Sequence, residues 1–325
     1  MTDVLRGADQ TLRSGGTPAG AVWPTGFEPL DTYLGGGFRS RELTLIAGPQ
    51  GLGKTTFVTQ ILRHQVHSGR PGLMFSFEHD ATTMLERFVA LEAGLIAGID
   101  AVPLRRIREA METVEGGSGL ADRLAGTAGG QEALDQVNRY GDLLFLHRSS
   151  GVSTTLAIIE AEARDVAART GTPPMIIVDY LQKVAVDGTG LTSLDVSEEI
   201  VEGLKDMSLT LDAPVVAIVA SDLEGTREGQ RMRLHHMRGS SALAYEADVV
   251  LVMNQKFDVV ARHHLVYNTA NAERYRDWVV VSVEKNRTGL DRIDLEFRKR
   301  FEQSRFDPEG AAVEEQLVDE RVFVE

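Results

Sequence analysis

The chain contains no cysteine. That absence excludes disulfides, thiolate metal sites, iron–sulfur clusters and thiol nucleophiles, and it suits a reducing cytoplasm, which is the expected location. Long apolar runs are missing as well. The most apolar stretches, such as Val215–Ala220, fall far short of the roughly 18 to 20 residues that span a bilayer. The opening residues lack the basic-then-apolar pattern of a secretory signal, so no membrane association is expected. Positive charge is in deficit: 34 Lys and Arg face 48 Asp and Glu, a formal net charge of −14. This balance excludes a protein that coats nucleic acid by bulk charge, while leaving room for a local basic groove.

What is present is enough to build a large core. The 325 residues are 42% hydrophobic and 25% charged, which suits one large α/β domain or two smaller ones. Short apolar runs recur at Leu43–Ala47, Leu73–Phe77, Leu143–His147, Met175–Asp179, Val215–Val219, Val249–Met253 and Trp278–Val283. Most are continuous rather than alternating, the pattern of strands buried on both faces of a parallel sheet. Helical segments fall between them, at Lys54–His67, Ala81–Ala97, Thr154–Arg169 and Val196–Leu211. Strand–helix–strand order predicts a doubly wound, mainly parallel α/β sheet. The pair Val279–Val283 and Ile293–Phe297 predicts an antiparallel hairpin at its edge. Residues 1–24, rich in Gly and Pro towards their end, read as a flexible leader. Residues 25–308 form the main domain, with a Gly-rich, loosely helical excursion on the sheet at 98–141. Residues 309–325 read as an acidic tail, either an arm or a solvated end.

The strongest chemical signal is Gly48-Pro49-Gln50-Gly51-Leu52-Gly53-Lys54-Thr55-Thr56, which satisfies the phosphate-loop pattern between a strand and a helix. Glycines let the backbone wrap phosphates with its N–H groups, and the helix N-terminus adds positive potential. Gly48, Gln50, Gly51, Gly53, Lys54, Thr55 and Thr56 are therefore the candidate nucleotide-binding residues. Lys54 would reach the β- and γ-phosphates, and Thr55 would ligate Mg²⁺. A second metal-side carboxylate is expected at the carboxyl end of a neighbouring strand. Asp179, closing the run Met175–Asp179, meets that need. Glu78 follows Leu73–Phe77, and if that strand adjoins the first, Glu78 points at the γ-phosphate as a general base. The blander alternative for either carboxylate is a turn or helix cap.

These strings stand in one order: the phosphate loop, FSFEHD, MLERFVALEAG, MIIVDYLQKV, SSALAYEADVVLVM, VVVSVEKNRTG and a closing SRFDP. Together they resemble the C-terminal, RecA-like motor domain of replicative DNA helicases of the DnaB family, from about Thr25 to Pro308. The resemblance implies a RecA-like P-loop NTPase that hydrolyses ATP with Mg²⁺, acts on single-stranded DNA and assembles as a homo-oligomeric ring, a hexamer. It implies that Glu78 activates water and that Asp179 completes the metal site. It also implies that Lys285 and Arg287 reach the γ-phosphate of a neighbouring subunit.

Arg227, Arg231, Arg233 and Arg238 lie between Glu224 and Arg238, where local positive charge stands out against the acidic whole. In the resembling family this segment follows the DNA backbone, and these four are the candidate DNA-binding residues. Arg side chains there would bind phosphates without reading bases. The plainer alternative is a polar loop without a specific partner. Two departures from the family pattern stand beside the resemblance. Asp222 occupies the region where the family places a γ-phosphate-sensing Gln, and the family's helical front domain has no counterpart before Thr25, so a partner protein could replace it. Both features, with the acidic charge, favour a second reading, a regulatory ATPase of the RecA/KaiC group acting on a protein partner. A degenerate NTPase scaffold is the third, against which the complete set Lys54, Thr55, Glu78 and Asp179 argues.

Overall fold

The computed structural model describes residues 1–15, 20–114, 116–186, 192–221, 229–237, 240–266 and 269–320. In chain order the strands are β1 (Val22–Trp23), β2 (Phe38–Arg39), β3 (Leu43–Ala47), β4 (Gly72–Ser76), β5 (Leu144–Arg148), β6 (Met175–Asp179), β7 (Val215–Val219), β8 (Val249–Gln255), β9 (Trp278–Asn286), β10 (Ile293–Arg300), β11 (Arg305–Phe306) and β12 (Ala311–Ala312). The main helices are α1 (Thr2–Arg13), α2 (Glu28–Tyr33), α3 (Lys54–His67), α4 (Ala81–Ala97), α5 (Leu104–Glu112), α6 (Leu120–Leu124), α7 (Gly130–Tyr140), α8 (Leu156–Thr170), α9 (Ser193–Leu211), α10 (Ser240–Glu246) and α11 (Lys256–Val259).

The central sheet runs β11-β10-β9-β8-β3-β7-β6-β4-β5, with β12 also paired to β10. From β8 to β5 every pairing is parallel, and β9 and β10 add an antiparallel edge. β3, β4, β6 and β7 are buried along their whole length. That is why their sequences are mainly apolar and do not alternate: each face of the sheet has its own cover of helices. One core forms around α3 and contains Phe27, Phe57, Phe297 and Phe306. The Phe27 and Phe57 rings stack at 4.4 Å, and Phe57 meets Phe306 edge-on at 5.9 Å. Each such pair is worth about 0.5–1.5 kcal/mol beyond its buried area, and together they fix the helix that follows the phosphate loop. The opposite face packs Ile159, Ala163, Val201 and Leu204 from α8 and α9.

Four expectations change. β4 does not adjoin β3; β7 and β6 lie between them. Residues 1–24 are not featureless, because Thr2–Arg13 is helical and Val22–Trp23 pairs with Phe38–Arg39. The excursion at 98–141 folds as three helices on α4 rather than on the sheet, around Val89, Ala93, Ile107, Leu124 and Ala133. The segment after Pro308 is not solvated along its length either. Ala311–Ala312 pairs with β10, and Glu315 bonds Lys256 at 2.7 Å. Lys256 is only 1% exposed and also pairs with Glu296, so its buried charge requires these carboxylates.

Candidate nucleotide site

The turn from β3 into α3 needs glycine for two physical reasons. Gly53 caps α3 with φ of +83°, and a Cβ there would lie 2.6 Å from the Phe301 ring. A side chain at that point would meet both backbone strain and a steric wall. Around this turn lies a cleft of about 1460 Å³. Gly48, Gln50, Gly51, Gly53, Lys54, Thr55 and Thr56 all line it, and so do Glu78 and Asp179. Asp179 reaches the cleft from the carboxyl end of β6. Glu78 reaches it from the loop after β4, which β6 holds in place: Phe77 N–H donates to the Asp179 carbonyl at 3.0 Å. The shared cleft therefore comes from β4–β6 pairing rather than from the expected adjacency to β3.

Lys54 Nζ donates to the carbonyls of Gly48 at 2.7 Å and Pro49 at 2.8 Å. Burial pulls its pKa down, while the charges of Asp179 and Glu78 oppose that shift. Thr55 Oγ1 donates to Asp179 Oδ2 at 2.7 Å. Burial pushes the Asp179 carboxyl up to about 6, further raised by Glu78 and opposed by the Thr55 hydrogen bond, Lys54 and Arg87. A hydroxyl and a carboxylate already in contact, with a second carboxylate lining the same cleft, form the oxygen donor set that Mg²⁺ prefers. The residues present fit that ion.

Sequence reasoning missed several lining residues: His79, Arg87, Leu104, Tyr180, Ser221, Phe301 and Ser304. Arg87 carried a usable signal, a cation beside Glu86 in the mostly apolar stretch Met84–Ala90 of α4. Its Nη2 lies 3.4 Å from His79 Nε2, and its buried Nε has no hydrogen-bond partner. Ser304 opens the SRFDP string and Phe301 lies three residues before it, yet only the folded chain shows that both line the cleft around the phosphate loop.

Lys285 and Arg287 do not line this cleft. Lys285 Nζ donates to the carbonyls of Ala244, Tyr245 and Ala247, at 2.6, 3.1 and 2.5 Å, at the end of α10. Burial and the adjacent Arg287 hold its pKa down. Arg287 donates to the Tyr245 carbonyl and lies 3.5 Å from Asp248, with its side chain 44% exposed.

The basic segment requires a correction. Arg231 is 3% exposed and bonds Asp294 and Ser282, so it holds the sheet edge and offers no surface to a nucleic acid strand. Arg233 is not a free cation: it pairs with Glu284 at 2.8 Å and Asp319 at 2.6 Å. Arg227, Arg238 and Asp222 lie outside the described residues. Gln182 of the DYLQ string accepts a 3.0 Å hydrogen bond from Ala220 N–H, tying the end of β7 to the loop after Asp179.

The sequence pattern of the DnaB-like helicase C terminal domain matches residues 23–307. The chain belongs to this DnaB-like family. The replicative DNA helicase DnaB of Haemophilus influenzae is 26% identical over 286 residues, 87% of this chain and 54% of that protein. The DnaB of Pasteurella multocida is 27% identical over 287 residues, with the same coverage of 87% and 54%. This DnaB-like chain thus spans about half the length of the curated relatives it matches. One solved ATPase domain superposes with a TM-score of 0.72 at 18% identity, covering 94% of this chain and 97% of that one. A DnaB-like replicative helicase studied with primase gives 0.70 at 19% identity, covering 88% and 63%. These likenesses show the RecA-like fold. Among the described residues, no helix is long and apolar enough to cross a membrane.

Proposed function

We propose that this DnaB-like domain hydrolyses ATP and uses the energy to move along single-stranded DNA as a ring of identical copies. The observation that carries the reading is the convergence of Lys54, the Thr55–Asp179 pair and Glu78 on one cleft. Lys54 neutralises phosphate charge. Thr55 and Asp179 would hold Mg²⁺, which supplies positive charge against the phosphates when bound. Glu78 is exposed at the rim of the cleft, where it takes a proton from the attacking water. Lys285 and Arg287 act on a neighbouring copy's cleft, since they do not line their own. The apolar stripe Val4, Leu5 and Leu12 of α1 is 69%, 66% and 61% exposed and supports packing between copies. The test is ATPase rate with and without single-stranded DNA at several salt concentrations. Stimulation that fades with salt is the expected result. A rate indifferent to DNA would overturn the translocase reading in favour of a protein-directed ATPase.

A further inference from the structure

We propose that residues 314–320 form a displaceable acidic strap that occupies the phosphate-binding edge of Arg233, so that Asp319 and a single-stranded polynucleotide compete for one guanidinium. The inference rests on the DNA-binding reading above. The strap lies just beyond the residues that match the DnaB-like family. It is held by backbone hydrogen bonds and isolated bridges: Ala261 N–H donates to the Gln316 carbonyl at 2.9 Å, Val318 N–H to the Val259 carbonyl at 2.8 Å, and Arg231 N–H to the Asp319 carbonyl at 2.8 Å.

The two ends of the strap are held differently. At one end the Glu315 carboxylate is 16% exposed and bonds the 1% exposed Lys256 ammonium at 2.7 Å. That pair is a buried anchor, and water or salt weakens it little. At the other end the Asp319 carboxylate is 70% exposed. An exposed pair of this kind is weak and strongly screened.

The geometry at Arg233 names the competitor. Its Nη1 donates to Glu284 Oε1 at 2.8 Å, while Nε and Nη2 approach Asp319 Oδ1 at 2.8 and 2.6 Å. The Nε–Nη2 edge is the fork that takes carboxylates and phosphates alike. Asp319 therefore sits where a phosphodiester oxygen would bind, and Glu284 keeps the guanidinium in position when Asp319 leaves. A polyanion gains from counterion release, an advantage that a single carboxylate lacks.

The test uses the full chain and a fluorescently labelled oligo-dT, with affinity measured by anisotropy across a salt series. Asp319→Asn should tighten binding several-fold at low salt and steepen the log–log salt slope by about 0.7, the share of one added phosphate contact on a single strand. Adding Arg233→Ala should abolish that gain. Glu320→Gln removes the same charge one position along and should give little of it. Wild-type affinity and slope in Asp319→Asn, or an equal gain in Glu320→Gln, would overturn the strap while leaving DNA binding intact. Failure of both wild type and Asp319→Asn to bind the oligonucleotide would instead remove the DNA-binding reading, and the strap with it.

Discussion

Thr55 Oγ1 donates a 2.7 Å hydrogen bond to Asp179 Oδ2, joining side chains 124 residues apart in the chain. One comes from the first turn of α3 and the other from the carboxyl end of β6. Their contact places the two oxygen donors of the proposed metal site on adjoining parts of the fold. Glu78 enters the same cleft because β4 pairs with β6, with Ser76 opposite Asp179.

This arrangement separates binding from turnover. Lys54→Ala should lose tight ATP binding, because Lys54 opposes phosphate charge already in the ground state. Glu78→Gln should retain binding and lose turnover, because a base acts on water only as the reaction proceeds. Nucleotide titration and steady-state ATPase, run on both variants, separate the two roles. Wild-type turnover in Glu78→Gln would remove Glu78 as the base.

Asp179 illustrates the stability cost of a functional charge. Its carboxyl is shifted from an ordinary 3.8 up to about 6, chiefly by burial. A raised acid pKa means that the folded state binds the proton more tightly than the unfolded chain. The ionised carboxylate therefore destabilises the fold above about pH 6, by up to roughly 3 kcal/mol, and the effect disappears below pH 4. Asp179→Asn keeps an acceptor for Thr55 and carries no charge. Without metal or nucleotide it should be about 1–3 kcal/mol more stable at pH 8 and near wild type at pH 4, while losing ATPase activity. Denaturant melts at the two pH values check this.

Arg231 and Arg233, two positions apart, should behave as different kinds of residue. Arg231→Ala leaves Asp294 without its buried partner and should cost about 3 kcal/mol of stability. Arg233→Ala loses two partly exposed pairs, with Glu284 and Asp319, and should cost less, about 1–2 kcal/mol in all. It should still weaken DNA affinity. Thermal melts and oligonucleotide titrations on the same samples distinguish them. Equal losses of stability would show that the burial difference carries no energetic weight.

The sequence was most legible where one local pattern had one physical solution. The mainly apolar, non-alternating runs Leu43–Ala47, Met175–Asp179 and Val215–Val219 became strands at those boundaries, because only a sheet covered on both faces buries them fully. The phosphate loop was legible because its glycines and Lys54 have a fixed local geometry. Strand order was not, since no local pattern says which strand a parallel strand will neighbour, and Glu78 reaches the cleft although its strand does not adjoin β3. Charge was the least legible feature. Arg231 and Arg233 stand out as a basic cluster, but their partners Asp294 and Asp319 are 63 and 86 residues away. Likewise, the acidic stretch after Pro308 revealed nothing of the buried Lys256 that holds it.

The last prediction concerns a site shared between copies. Lys285 and Arg287 lie at the end of β9 and just beyond it, bonded to carbonyls in and just after the last turn of α10 and outside the cleft lined by Lys54 and Glu78. In an isolated copy, Arg287 is a half-exposed cation near Asp248, with little energetic consequence. Across the proposed subunit boundary, its guanidinium would meet charge that develops on the transferring phosphoryl group, a contact worth roughly 10³ to 10⁵ in rate in other NTPases. Arg287→Ala and Glu78→Gln should therefore each be inactive alone, although each leaves the other's residue intact. Mixed, they should recover part of the activity, because some boundaries then bring the Glu78 of an Arg287→Ala copy to the Arg287 of a Glu78→Gln copy. A ring that fires strictly in sequence lowers the recovery at equal ratio, so activity should be followed across the full range of ratios. Full activity of Arg287→Ala alone would rule out action between copies. A mixture inactive at every ratio, with assembly confirmed by sedimentation, would mean either that the ring fires strictly in sequence or that each copy is complete in itself, with Arg287 acting through α10 alone.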